Sequence, residues 1–447
     1  MLRKTVQVVH CVDTEGPLFE SLPETFKRLK EIFGVELSAS REVLEQLQRC
    51  EIDLGGLEQE VARVFHPQLL NYNETWDQVD TMLEDIMSKE FRQRFPDSFN
   101  QGWIYNWHCL DHVGYKDNPR RREMGYHSVF DHYNSILEAS EVNSRDGLHF
   151  HYHPMPFTRR ANHCATHYFA SGDTLFQILA RDIIDRCWFP CVNRPGFHAT
   201  RPDSHWFLEQ FIPFDYANQA CNQDYSKQKD LSDGRFGDWR RSPKTWQPYH
   251  PSHDDYQVPG HCRRWIARCL NVGMRLRCLE QADVNQAFSE AQEGIAVILS
   301  FANHDYRDMR PDVESVHAML VHAREQFPDV RFSYCEAREA MRQALALPTK
   351  PPCRLRLNLE GSILRVQSDT PIFGPQPFFV VRNRSGEYYH DNMDFQESFR
   401  VWTYVFDESN FPLDSLEKIG IACCDSTGNV SVAVLDVLSG EILQRHH

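Results

Sequence analysis

Thr5-Val6-Gln7-Val8-Val9-His10-Cys11-Val12-Asp13-Thr14-Glu15-Gly16-Pro17 opens with eight β-rich residues that predict a strand, and it stops in a turn cluster that begins with two carboxylates. Working outward, Glu24 to Phe33, Arg41 to Cys50 and Glu74 to Phe91 show helical i, i+3/i+4 apolar spacing. Trp103 to Trp107 and Leu148 to Tyr152 read as strands, and Asp173 is the expected N-cap of a helix over Thr174 to Cys187. Phe211 to Ala217 reads as a strand, and Ile295 to Phe301 is an apolar run of buried-strand type. A helix over Val313 to Phe327, a strand at Val330 to Phe332 and a helix over Cys335 to Leu345 complete the series. Strands alternating with helices predict a parallel α/β architecture, and the number of units suits a barrel and an open sheet equally.

The pattern changes at the Pro-rich stretch 348–352, which reads as a linker. Beyond it Leu355, Leu357 and Leu359 alternate with polar residues, and turn signals recur at Glu360-Gly361, Ser385-Gly386, Thr427-Gly428-Asn429 and Ser439-Gly440. Residues 353–447 therefore read as a small antiparallel β-sandwich without a catalytic constellation of its own.

The 447 residues exceed the roughly 100–200 of one domain. An apolar fraction of 41% with 12% aromatic residues fills a sizeable core and excludes wholesale disorder. The net charge of −15 argues against nucleic acid as a partner, and Arg120-Arg121-Arg122 is the only local run of opposite sign. No stretch of about 18–20 apolar residues predicts membrane insertion. The first residues are too short and too polar a run for a signal peptide, so the expected location is cytoplasmic. The 14 cysteines are scattered without a Cys-x-x-Cys pair, which fits reduced thiols better than disulfides or a cysteine–zinc site.

Four constellations carry chemistry. Asp13 and Glu15 stand at a strand's C-terminal end, where parallel α/β folds gather functional groups. Two carboxylates there are costly unless they bind a cation or share acid–base work. In Gly147-Leu148-His149-Phe150-His151-Tyr152-His153-Pro154, strand alternation puts all three histidines on one face, whereas a turn after the strand favours His149 with His153. Neutral imidazoles in that number suit zinc or a similar cation. Asn193-Arg194-Pro195-Gly196-Phe197-His198 offers an arginine fork able to fix a carboxylate. The apolar run ending in Ala302-Asn303-His304-Asp305 presents a histidine suited to general acid work, with Asp305 beside it.

In this order the four motifs resemble those of the polysaccharide deacetylase superfamily, the NodB-homology or carbohydrate esterase family 4 proteins, over residues 1–347. The resemblance implies a distorted, TIM-like (β/α) barrel and a metal-dependent hydrolase that removes acetyl groups, N-acetyl in the first place, from a sugar or glycan. It also implies the roles: Glu15, His149 and His153 as ligands of a divalent metal, zinc first; Asp13 as the base that activates water; Arg194 orienting Asp13; His304 as the general acid. Trp239, Phe197 and Asp305 are the expected substrate-binding residues.

The family's first motif has adjacent aspartates, whereas Thr14 separates Asp13 from Glu15 here, so which acid binds metal stays open, and His151 stays a candidate ligand. The gap from Glu15 to His149 is long because a helical segment of about residues 18–100 is inserted; it and the loop from Gln219 to Gly260 are candidates for a lid or an assembly surface. The chain type is similar to bacterial members tied to lipopolysaccharide or O-antigen biosynthesis. The alternatives are a metal-dependent hydrolase of a non-sugar amide and an inactive carbohydrate-binding or scaffold protein. Oligomeric state is not legible in the sequence.

Overall fold

The computed structural model describes residues 4–139, 145–161, 163, 168, 173–228 and 236–447. Part of the loop from Gln219 to Gly260 thus lies outside the described residues. Seven parallel strands close a barrel: β1 (Thr5–Thr14), β2 (Tyr105–Leu110), β3 (Gly147–Tyr152), β4 (Val192–Pro195), β5 (Phe214–Asn218), β6 (Trp265–Asn271) and β7 (Val297–His304). Each pairs with the next and β7 returns to β1, with Asp13 opposite His304 on one side and opposite His108 on the other. An eighth strand, β8 (Arg331–Tyr334), pairs with the first half of β1, where β2 does not reach. The chain is therefore an α/β barrel.

β1 is central because it is apolar on both faces: Val6, Val8, Val9, Cys11 and Val12 are all buried. In a closed parallel barrel one face meets the packed interior and the other the surrounding helices, so such runs are required. Strand β6 has no comparable signal in the sequence. Its Arg268, and Arg264 just before it, interrupt the apolar pattern, yet both are buried; Arg268 donates to Asp283 at 2.8 Å and to the Ala220 and Lys244 carbonyls.

Six helices fill the insertion between β1 and β2: α1 (Leu22–Phe33), α2 (Arg41–Gln48), α3 (Glu58–Val64), α4 (Pro67–Leu70), α5 (Trp76–Ile86) and α6 (Lys89–Gln93). The first three enclose their own small core of Phe26, Leu29, Ile32, Phe33, Leu47, Val61 and Val64. The single helix expected over Glu74 to Phe91 is two. Thr75 opens α5 with a capping box, and Ser88 restarts the chain as the N-cap of α6. Around the barrel run α7 (Ser128–Glu138), α8 (Thr174–Arg186), α9 (Pro202–Phe211), α10 (Gln281–Gln292), α11 (Arg310–Gln326) and α12 (Ala337–Ala344). Asp173 precedes α8 as expected but makes no side-chain cap bond.

After the stretch 348–352 come two antiparallel sheets. One has four strands: β9 (Leu355–Glu360), β10 (Ile363–Ser368), β13 (Asp394–Glu397) and β14 (Val401–Val405). The other has five: β11 (Phe378–Asn383), β12 (Tyr388–Asp391), β15 (Leu416–Cys424), β16 (Val430–Asp436) and β17 (Ile442–His446). Leu364, Val366, Trp402, Phe379, Ile419 and Ile421 share one core between them, a sandwich-like arrangement. The outer face of the five-stranded sheet does not meet water. Phe378, Val380, Ala422 and Val432 join the barrel's own core, against Ile183, Ile184 and Phe189. No helix among the described residues is long and apolar enough to cross a membrane, and all thirteen described cysteines are free.

Candidate metal centre

The C-terminal ends of β1, β3, β4 and β7 bring Asp13, Glu15, His151, His153, Arg194 and His304 together in a buried cluster. Glu15, His151 and His153 are a group able to hold a metal ion: one ligand atom from each lies within 4.8 Å of the others. The Nε2 atoms of His151 and His153 are 3.1 Å apart, and Glu15 Oε1 is 3.4 Å from His153 Nε2. Two nitrogens bound to a tetrahedral ion at about 2.0–2.1 Å lie roughly 3.3 Å apart, so the spacing fits a cation of that size.

The supporting bonds favour the same use. His151 Nδ1 donates to the Arg194 carbonyl at 2.8 Å, which fixes the tautomer and leaves the Nε2 lone pair directed at the cluster. His153 Nδ1 is buried without a hydrogen-bond partner among the described residues. Burial pushes both histidines down from the usual imidazole range, further for His153, where the charges of His151 and Arg122 add to it. Both rings are thus kept neutral, the form that ligates.

The expected outer pair, His149 with His153, is not what the structure brings together. The strand period turns His149 and His151 both into the barrel, about 6.6 Å apart along the strand, and the chain then bends so that His153 swings back toward His151. His149 stands one layer lower. Its Nε2 lies 3.1 Å from Glu336 Oε1 and 3.2 Å from Asn106 Oδ1, and it belongs to the barrel floor. Glu336 also caps α12 through the Arg338 and Glu339 N–H groups. Burial works against its charge, but the His149 hydrogen bond and charge outweigh it and hold the carboxyl at about 2.

Gly196 explains the Arg-Pro-Gly motif. A Cβ there would fall inside the His153 ring, so only glycine lets the imidazole lie against the end of β4. The next two residues, Phe197 and His198, both have positive φ, 52° and 53°. That strained turn places Phe197 over His153, with ring centroids 4.7 Å apart.

Asp13 is set apart from the ligand group by its own bond. Arg194 Nε donates to Asp13 Oδ1 at 2.5 Å, both side chains being buried. Burial opposes the arginine's charge, yet Asp13 raises its pKa. The other carboxylate oxygen of Asp13 is 3.8 Å from His304 Nε2, which also lies 3.5 Å from Glu15 Oε1. Burial, and next the charge of Arg307, push His304 well below the ordinary imidazole value. Glu15 divides its oxygens: Oε1 faces the histidines, and Oε2 is in contact with Arg122.

Two expected substrate-binding residues are supports instead. Asp305 is fully buried and accepts the Glu15 and Gly16 N–H groups at 3.0 and 2.9 Å and the Tyr133 hydroxyl at 2.9 Å, so it clamps the turn that carries Glu15. Trp239 is buried and donates from Nε1 to the His198 carbonyl, bracing the strained turn from behind rather than walling the pocket. Phe197 does line the cavity above the cluster, a space of about 520 Å³ between the barrel mouth and the inserted helices. Also lining it are His198, from the Arg-Pro-Gly motif, and Tyr72, Tyr306 and Arg307, which no motif singles out. Arg122 carried one faint signal, its place in the basic run.

A second group, Asp111, His127 and Asp182, also converges. Here the histidine is an ion-pair partner: burial opposes its charge, but Asp182 and Asp185 raise it to about 9. Comparison of the chain with protein-family models, with curated proteins and with solved structures finds no match.

Proposed function

We propose that this chain is a metal-dependent hydrolase that removes an acetyl group, N-acetyl in the first place, from a sugar substrate, in the manner of the polysaccharide deacetylases its motifs resemble. The observation that carries the reading is the pairing of Glu15, His151 and His153 as ligand set with an Asp13 that Arg194 holds separately beneath the same cavity. Neutral nitrogens and one carboxylate favour zinc among divalent cations. Bound there, such an ion supplies Lewis-acid polarisation of the acyl carbonyl and acidifies a water.

The chain's own groups supply the proton traffic. Asp13, its Oδ1 fixed by Arg194, has Oδ2 left to take the proton of the attacking water. His304 Nε2, 3.8 Å from that Oδ2, is the nitrogen placed to receive the proton Asp13 takes from the water and to pass it to the departing amine. Asp305 keeps Glu15 in register by holding its backbone N–H.

Metal content of the purified full-length chain and acetate release from N-acetylated sugars test the reading on one preparation. The expected result is one divalent ion per chain and metal-dependent acetate release. A folded protein that takes up no divalent ion at micromolar concentration would refute it.

A further inference from the structure

The cavity over the cluster is basic although the chain as a whole carries a charge of −15. Five arginines line it, Arg28, Arg120, Arg122, Arg275 and Arg307, against Asp13, Glu15 and Glu31. Asp13 and Glu15 are already engaged at the cluster by Arg194 and Arg122, and Glu31 is solvent-exposed on the rim. Arg275 donates to Gln228 Oε1 at 2.8 Å, and the charge that remains belongs to Arg28, Arg120 and Arg307. Arg28 and Arg120 share a single carboxylate, Glu20, at 2.9 and 3.1 Å, and that carboxylate also accepts the Tyr72 hydroxyl at 2.9 Å. Arg307 has no carboxylate within ion-pair distance among the described residues. It donates to the Gly273 carbonyl at 2.9 Å and lies 5.5 Å from the Tyr72 ring and 5.2 Å from the Tyr306 ring.

Three guanidiniums with one carboxylate within ion-pair distance leave this wall with an excess of positive charge. Several of their N–H groups are buried without an acceptor among the described residues: Nε of Arg28, Arg120 and Arg307. The three arginines line the cavity, and a multi-oxygen anion bound there offsets their excess charge. The inserted helices make this wall. Arg28 and Tyr72 come from the insertion, and Asn73 ties it to the turn after β7, accepting Leu18 N–H and donating to the Tyr306 and Asp305 carbonyls.

We infer that the substrate is phosphorylated: an acylated sugar whose phosphate or diphosphate ester is held by Arg28, Arg120 and Arg307 while the acyl group sits at the Glu15–His151–His153 cluster. A phosphoryl dianion matches this excess positive charge, and guanidinium forks match its oxygens. The inference rests on the proposed hydrolase reading for the acyl end but not for the anion end.

Two measurements on the full-length protein separate them. The first is equilibrium binding of inorganic pyrophosphate by calorimetry to the wild type, Arg28→Gln, Arg307→Gln and Arg307→Lys, each checked for fold by its melting curve and for equal metal content. Binding should weaken roughly 10- to 100-fold per arginine removed, as for a charged hydrogen bond, and less for the lysine variant, which keeps charge without the fork. The second is kcat/KM for acetate release from N-acetylglucosamine, its 1-phosphate and its nucleotide-diphosphate form. At least one phosphorylated form should exceed the neutral sugar about 100-fold, and which one does so distinguishes a monoester from a diphosphate substrate. Pyrophosphate binding that depends on the arginines, with no acetate released from any sugar, keeps the anion site and refutes the hydrolase reading. No pyrophosphate binding by the wild type, or binding indifferent to all three substitutions, overturns the anion site whatever the acetate assay shows.

Discussion

Replacing His149 and His151 by alanine, one at a time, should give opposite phenotypes, although the two residues are two positions apart on one strand. His151→Ala deletes one of the two imidazoles that converge at 3.1 Å. Loss of a partner that merely supports a ligand costs about 10–100-fold in metal affinity, so loss of the ligand itself should cost more. The protein should then lose its metal on dialysis while its melting curve moves little. His149→Ala leaves the cluster intact but takes the 3.1 Å partner from Glu336. Breaking a buried pair costs about 3–5 kcal/mol when the survivor is stranded. Glu336 is not wholly stranded, because it keeps the Arg338 and Glu339 N–H groups at 3.0 Å and the start of α12. A loss of about 2–3 kcal/mol is therefore expected, with metal retained. Metal analysis and urea denaturation on the same samples read both quantities. Metal lost from His149→Ala and kept in His151→Ala would refute the assignment of layers.

The remaining expectations concern the supports and the base. Gly196→Ala, which puts a Cβ into the His153 ring, should strip metal as thoroughly as His153→Ala does, although the residue carries no donor; normal metal content in a folded Gly196→Ala protein would show that the ring is free to move. Asp13→Asn should retain metal and lose acetate release by at least the roughly 10²–10⁴-fold typical of a general base, because an amide cannot take the water's proton; metal loss in this variant would instead move Asp13 into the ligand set. For pH dependence the useful group is His127, raised to about 9 from the usual 6.5. A raised pKa stabilises the fold fully below the unfolded value, and that contribution is lost as pH rises through 9. Asp111, pushed up to about 7 by burial, slopes the same way at lower pH. Stability of the wild type relative to His127→Asn should therefore fall between pH 6.5 and 9; a difference that is flat or rises over that window would remove the ion pair from the account.

The barrel was legible where one physical demand acted alone. β1 and β7 are continuous apolar runs because a central parallel strand is buried on both faces, and both were readable to within a few residues. β6 was not, since its Arg268 is buried by pairing with Asp283, a partner it meets only once the following helix, α10, has packed back against the strand. The cluster shows the same division. That Asp13, Arg194 and His304 would meet was readable from motifs at strand ends. Which histidines would join Glu15 was not, because the answer depends on where β3 ends: spacing counts residues, whereas His153 reaches His151 only through the bend after Tyr152. Trp239 and Asp305 are near misses of another kind. Both sit where a pocket residue was expected, but each spends its polar group on the backbone of the turn that carries a functional residue.

The C-terminal sheets carry no group of the cluster, yet they are not an appendage hung on a linker. Helix α8 lies between barrel and sheet. Its Phe176 stacks on Phe378 and His390, its Gln177 donates to the Tyr388 carbonyl, and its Asp185 accepts the Tyr388 hydroxyl at 2.7 Å. Gly420 is glycine at this seam because a Cβ would collide with Ile183 and Val380. Asp185 also faces His127 with its other oxygen, so the ion pair of the barrel and the hydroxyl of the sheet stabilise one carboxylate jointly. The α8 end of the barrel is thus built for a covered face. In this protein an apolar sheet face completes the core of the barrel, whereas at the opposite end of the chain an arginine-bearing insertion completes its cavity.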